Sequence, residues 1–152
     1  MNYTHRQTAM FSTRLYFGVP MVLCLILTVW LLIAGGGLVE AIGPLIAVVI
    51  LLVMDMLFRS LTVTIDTETI SLAFGLGIIQ KQFRIAEIES AGIIRNRWWY
   101  GLGIRKIRHG WLYNVSGLDA VELQMKDGPR YRIGTDEPNK LLEAIESARH
   151  KE

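Results

Sequence analysis

The chain has 152 residues and very little of what catalysis and metal binding usually require. Its one cysteine, Cys24, rules out a disulfide within the chain and a cysteine-based metal site. His5, His109 and His150 lie far apart, and no His/Asp/Glu cluster has the spacing of metal ligands. No serine stands in the setting of an activated nucleophile. The pairs Gly75/Gly77 and Gly101/Gly103 open no helix, so a phosphate-binding loop is not indicated. The expectation is a non-enzyme without cofactor or metal. A net charge of only +2 gives no general attraction to nucleic acid.

Charge is missing locally as well. Leu15 to Ala34 holds none, and Ala41 to Phe58 holds only Asp55 near its end. At a rise of roughly 1.5 Å per residue, the first run spans about 30 Å, the depth of a bilayer's hydrocarbon core. The runs are separated by Gly35-Gly36-Gly37-Leu38-Val39-Glu40. They predict a transmembrane helical hairpin over residues 1–60, with spans 15–34 and 41–58. Ala34-Gly35-Gly36 also resembles a small-residue cleavage site, but the run before it is long for a signal peptide and its flank is weakly basic. Arg6, Arg14 and Arg59 flank the spans, against Glu40 in the turn. The positive-inside rule then puts both termini in the cytoplasm.

Within the hairpin, Trp30 suits an interface, Glu40 suits the positive end of the second helix, and Pro44 is expected in that helix's first turn. A carboxylate in hydrocarbon is expensive, so Asp55 calls for a partner. Arg59 follows one helical turn later. The pair reads as an interfacial ion pair, or as a polar contact to another membrane protein.

Residues 61–152 have an ordinary charged fraction and length for one core. Leu61, Val63 and Ile65 alternate with Thr62, Thr64 and Asp66; Ile70, Leu72 and Phe74 repeat the pattern after a turn at Asp66-Thr67-Glu68. Period two predicts half-buried strands. Further strands are expected at about 78–84, 88–95, 111–115, 120–125 and 130–133, with Lys126-Asp127-Gly128-Pro129 as a strong turn. Residues 96–110 read as an irregular connection. Thr135 or Asp136 is expected to cap a final helix, with Glu137 and Pro138 in its first turn. In that helix Leu141, Leu142, Ile145 and Ala148 form an apolar stripe.

Seven strands split four and three, then one amphipathic helix, is the order of the pleckstrin-homology (PH) architecture. The run Gly110 to Leu123, the turn Asp127-Gly128 and Ile133 to Pro138 resemble the bacterial PH-like domains of small membrane proteins. In that group one or two N-terminal transmembrane helices precede the domain. The resemblance implies a PH-like seven-stranded barrel or sandwich with a C-terminal amphipathic helix, tethered to the inner membrane. It implies no activity. The first hairpin carries Asp66 and Glu68 and no base, unlike domains that grip inositol phosphates.

One further absence marks the best functional candidate. Between Glu89 and Asp119 there is no acid, yet the segment holds Arg95, Arg97, Arg105, Lys106 and Arg108. Trp98, Trp99, Tyr100 and Trp111 bracket Arg105, Lys106, Arg108 and His109. If successive strands are antiparallel and the first leaves the membrane at Arg59, the connection after residue 95 returns to the membrane side. Aromatics and bases there suit weak contact with anionic headgroups or with the hairpin's own rim. The alternative puts the tryptophans in the barrel end and leaves the bases solvated. The expected role is a membrane-anchored binding or scaffold module for a membrane or cytoplasmic protein, or for a second copy of the chain. The second reading is a small regulatory or assembly subunit of a larger membrane complex, acting through the hairpin.

Overall fold

The computed structural model describes residues 3–9, 11–108 and 110–150. His109, which the sequence places among the basic and aromatic residues, lies outside them. The chain begins with a strand the sequence did not suggest, β1 (Tyr3–Thr8). Two long helices follow, α1 (Phe11–Ile33) and α2 (Leu38–Phe58), then β2 (Ser60–Ile65), β3 (Thr69–Phe74), β4 (Ile79–Arg84) and β5 (Ile88–Arg95). The remaining elements are β6 (Gly103–Ile107), β7 (Gly110–Asn114), β8 (Asp119–Met125), β9 (Arg130–Gly134) and α3 (Pro138–Arg149).

Both long helices are long and apolar enough to cross a membrane. None of the residues in the apolar stretch of α1 is buried, and only 11% of those in the apolar stretch of α2 are. Such faces suit hydrocarbon better than water. Gly35, at φ +86°, ends α1, and the Gly36 N–H donates to the Leu31 carbonyl at 2.9 Å. This left-handed close lets the chain reverse within a few residues. The turn is shorter than expected, because Leu38, Val39 and Glu40 already belong to α2. Pro44 therefore stands in the second turn of α2, not the first, and Pro20 lies inside α1. Each proline withdraws one N–H from its helical ladder. Arg59 Nη2 donates to Asp55 Oδ2 at 2.9 Å, closing the expected ion pair at the domain end of α2.

The strands form two sheets, ordered β1-β2-β3-β4 and β5-β8-β9-β7-β6. The irregular connection expected over 96–110 is corrected here, because residues 103–107 form β6, an edge strand paired with β7. The first sheet takes three of the seven predicted strands plus β1; the second takes four plus β6. In the second sheet β7 and β9 run parallel because β9 lies between β8 and β7, and strands successive in the chain from β5 to β9 still alternate in direction. Alternation along β2 and β3 turns Leu61, Val63, Ile65, Ile70, Leu72 and Phe74 inward. They meet Tyr113, Val115, Val121, Leu123 and Ile133 of the second sheet, and Leu141 and Ile145 of α3 close the core.

The helix α3 starts later than expected. Glu137 is the cap residue and Pro138 the first helical position, while Thr135 Oγ1 accepts the Glu137 N–H at 3.1 Å. The Asp136 carboxylate is turned to His5 instead, 2.6 Å from its Nε2.

The hairpin is attached to the domain by two adjacent strands. β1 pairs antiparallel with β2 from Tyr3↔Ile65 to Thr8↔Ser60, and the Ala9 N–H donates to the Arg59 carbonyl at 2.8 Å. The buried Gln7 side chain reaches across to the second sheet, its Nε2 donating to the Ser116 carbonyl at 3.1 Å. Gly75, at φ +52°, abuts the end of α2: a Cβ there would collide with the Met56 and Leu57 carbonyl oxygens.

Gln7→Ala should destabilise the full chain by about 0.5–1.5 kcal/mol, because one buried hydrogen bond between the sheets is lost. Gln80→Ala, on an exposed strand edge, should cost almost nothing. Urea unfolding of both variants in detergent micelles checks this. The fold should also weaken at high pH. Burial, with a smaller contribution from Tyr131, raises the Tyr113 phenol above its ordinary value of 10.0. Burial, then Glu137 and Asp136, raises Tyr3. A phenol with a raised folded pKa holds its proton more tightly when folded. Its contribution is complete below the unfolded value and is lost as pH rises through the folded one. The urea midpoint should therefore fall as pH climbs above about 10, and Tyr3→Phe with Tyr113→Phe should flatten that fall.

Candidate functional site

The strand directions decide which residues meet the hairpin. β2 leaves the hairpin at Ser60, β3 returns to it, and Gly75 packs on the last turn of α2. β4 runs away and β5 comes back, ending at Arg95. The connection 96–102 then enters β6 at Gly103, where a Cβ would lie 3.5 Å from the Phe58 ring. The segment from Trp98 to Lys106 thus begins at the hairpin end of the domain.

Arg132 holds the segment in place. It donates to Glu122 Oε2 at 2.7 Å and to Asn96 Oδ1 at 3.2 Å, and its guanidinium lies 5.9 Å from the Tyr100 ring centre. Tyr100 is therefore pinned over the outer face of the second sheet. On that face Leu112, the register partner of Arg132, is fully buried. Trp98 and Trp99 stay outside: they are 77% and 55% exposed, and their rings meet edge to face at 5.8 Å. The Arg97 guanidinium lies 5.1 Å from the Trp99 ring centre. The reading in which these two tryptophans fill the end of the core is corrected; Phe58, Phe74 and Tyr113 are in ring contact there.

A second exposed apolar tip lies at the same end. Leu76 and Ile78, in the β3–β4 turn, are 70% and 72% exposed. Sequence reasoning passed over both and took Ile78 as the start of a strand. The signal was there: large aliphatics occupy the positions of a Gly-x-Gly turn where polar residues are usual.

Between this end of the domain and the hairpin lies a cleft of about 730 Å³. Tyr16 and Phe17 of α1 and Met54 and Phe58 of α2 form one wall; residues 101–106, including Arg105 and Lys106, form the other. Arg105 Nε donates to the Leu102 carbonyl at 3.0 Å. Among the described residues, neither Arg105 nor Lys106 has a carboxylate partner. Asp55, near Met54, is already held by Arg59.

The structure separates the other members of the basic and aromatic run from this cleft. β6 carries the chain away from the hairpin, so Arg108 lies at the far end of the domain. Trp111, on β7, lines a different groove of about 380 Å³ with Phe74, Ile79, Tyr113, Tyr131 and Lys81. That groove lies in the gap between β4 and β6, the two strands that end the sheets on this side. The Lys81 ammonium lies 5.7 Å from the Phe83 ring centre and 6.0 Å from that of Tyr131. The opposite gap, beside β5, is covered by α3, whose Arg149 donates to the Glu89 carbonyl at 2.6 Å.

His5 joins two elements: its Nδ1 lies 3.5 Å from Glu137 Oε2, beyond the contact to Asp136. Lys140 bonds Glu137 as well, which raises the lysine's pKa. Among the described residues, no group of three or more His, Cys, Asp or Glu side chains is arranged to hold a metal ion. Comparison with protein-family models and with curated proteins gives no match for this chain.

Exposure predicts how the tryptophans respond to mutation. Trp98→Ala and Trp99→Ala should each cost under about 1 kcal/mol, not the roughly 3–5 kcal/mol of a buried tryptophan. Urea unfolding of the full chain followed by circular dichroism gives the values, and a loss in the higher range would mean that the rings are buried.

Proposed function

We propose that this chain is a two-span inner-membrane protein with both termini in the cytoplasm, whose PH-like domain serves as a non-catalytic binding or scaffold module. The uncovered apolar faces of α1 and α2 support the membrane placement. Arg14 and Arg59 at the feet of the hairpin, against Glu40 near its tip, support the orientation. The β1–β2 pairing supports a common side for the N-terminal strand and the domain. Two sheets around one core and a closing helix favour the PH-like reading; the parallel β7–β9 pair and the extra strands depart from it.

The observation that carries the binding role is the open seam between β4 and β6. An unpaired strand edge offers a row of free N–H and C=O groups and is a natural site for an added strand. Here two such edges flank a groove floored by Phe74, Tyr113 and Tyr131. The edge strands and the turn after β6 carry Lys81, Arg84, Arg105, Lys106 and Arg108 and no acid. Such a seam suits an extended, acidic segment of a partner protein, with main-chain pairing for affinity and the aromatic floor for its alternate side chains. The same cations would also keep the edges from pairing indiscriminately.

The second reading, a subunit working through its hairpin, draws on the same uncovered helix faces and on Asp55 as a polar contact. Exchanging the hairpin separates the two. A photo-crosslinker at Gln80 in the full chain should capture a partner in native membranes. Capture should survive replacement of residues 11–58 by an unrelated hairpin and fail with Lys81→Glu and Arg84→Glu. Loss on hairpin exchange alone, with the charge reversal harmless, would favour the subunit reading.

The orientation is checked by single cysteines at the exposed Val39 and at Asp127 in a Cys24→Ser background. A membrane-impermeant thiol reagent should reach position 39 in spheroplasts and reach position 127 only after lysis. Labelling of position 127 in intact spheroplasts would reverse the topology.

A further inference from the structure

Resting on the membrane placement just given, we propose that the cleft between the hairpin and β6 holds one anionic phospholipid. Its two walls differ in the way a lipid differs along its length. The hairpin wall is apolar, built from Phe17, Met54 and Phe58, and is continuous with the uncovered faces of α1 and α2. The domain wall ends in Arg105 and Lys106, two cations with no carboxylate partner among the described residues. An acyl chain can run down the helices while the phosphate meets the cations. Tyr16 adds a phenol at the junction, where an amphipathic ring suits the headgroup level. The volume, about 730 Å³, is in the usual range for small-ligand sites.

The surroundings favour an anion over a zwitterion. There is no acid from Ser90 to Leu118, and the nearest acid on the hairpin, Asp55, is already neutralised by Arg59. A zwitterionic headgroup would bring its own cation to a cleft that has no carboxylate to receive it. Neither half of the molecule makes the site alone, because one wall belongs to the helices and the other to β6. The double attachment through β1 and β2 holds the walls opposite one another.

Each basic side chain near an anionic headgroup gives roughly a fivefold preference, and two give about thirtyfold. The test uses the full chain in nanodiscs of equal parts phosphatidylglycerol and phosphatidylcholine, released into native mass spectrometry. One phosphatidylglycerol should remain on each chain, in clear excess over phosphatidylcholine. Arg105→Gln with Lys106→Gln should abolish that excess. Lys81→Gln with Arg84→Gln, at the seam, should leave it intact. Millimolar inorganic phosphate should not displace the lipid, because the apolar wall contributes to holding it.

Equal retention of the two lipids, or an unchanged excess in the Arg105/Lys106 double variant, would overturn the proposal. Displacement by inorganic phosphate would reduce the cleft to a phosphate site and overturn it equally. Liposome flotation at high pH, run in parallel, keeps the two readings apart. A chain that fails to float refutes the membrane anchor itself, whereas a chain that floats without lipid selectivity refutes only the lipid site. Circular dichroism of each variant confirms that it is folded.

Discussion

The pairing of β1 with β2 is the constraint on which the rest of the arrangement depends. The chain leaves the domain along β1, runs through the hairpin and returns along β2 in the neighbouring position of the same sheet. Adjacent strands lie about 4.8 Å apart, while packed helices lie about 8–10 Å apart. The helices must therefore splay slightly from a narrow base. The Ala9–Arg59 backbone hydrogen bond and the Asp55–Arg59 ion pair mark that base. A domain hung from one strand could swing on its linker. Attached by two paired strands, it presents a fixed end to the hairpin, and only a fixed end can share a cleft with it.

Much of this fold can be read from alternation. In β2, β3 and β8 the inward positions are Leu, Val, Ile, Phe and Met, so the period is visible and the buried list follows from it. β1 escapes the same reading because its inward positions are Tyr3, His5 and Gln7. Polar side chains carry the period there, held by Asp136 and Ser116, and no hydropathy pattern registers that. β6 escapes for a related reason: Gly103-Ile104-Arg105-Lys106-Ile107 is an edge strand with little to bury, and its charges read as loop. The order of the second sheet is further out of reach. The parallel pairing of β7 with β9 arises because β9 is placed between β8 and β7, and short-range patterns carry no information about that.

The candidate site shows what composition can and cannot decide. An acid-free run of bases among aromatics marks out one segment, but it treats fourteen or so residues as one patch. A strand rises roughly 3.3 Å per residue, so the length of β6 alone moves the chain well over 10 Å. That displacement sends Trp98, Trp99 and Arg105 to the hairpin end and Arg108 to the other. Alternation sets Arg105 beside Leu112 and Lys106 beside Trp111, so the two cations come to the cleft from either side of β6. Leu76 and Ile78 come from a turn some twenty residues away and reach the tryptophans' end of the domain only because β3 and β5 both return there.

The two surfaces differ in what they require of the molecule. The seam between β4 and β6 is made wholly by the domain, from two sheet edges and an aromatic floor. The cleft needs both halves, since Phe58 and Met54 face β6 across it. An exchanged hairpin would keep the first and lose one wall of the second. The strand β6 borders both, with Arg105 and Lys106 on the cleft and its unpaired edge on the seam. Its exposed backbone is therefore protected at one end by the hairpin and along its length by like charge, which discourages pairing with a second copy of itself. Two β6 edges brought together would set the cations of each strand against those of the other, and like charges directly opposite on neighbouring strands are unfavourable. An acidic segment meets no such opposition, so the charge pattern that guards the edge against self-association also selects the partner it can admit.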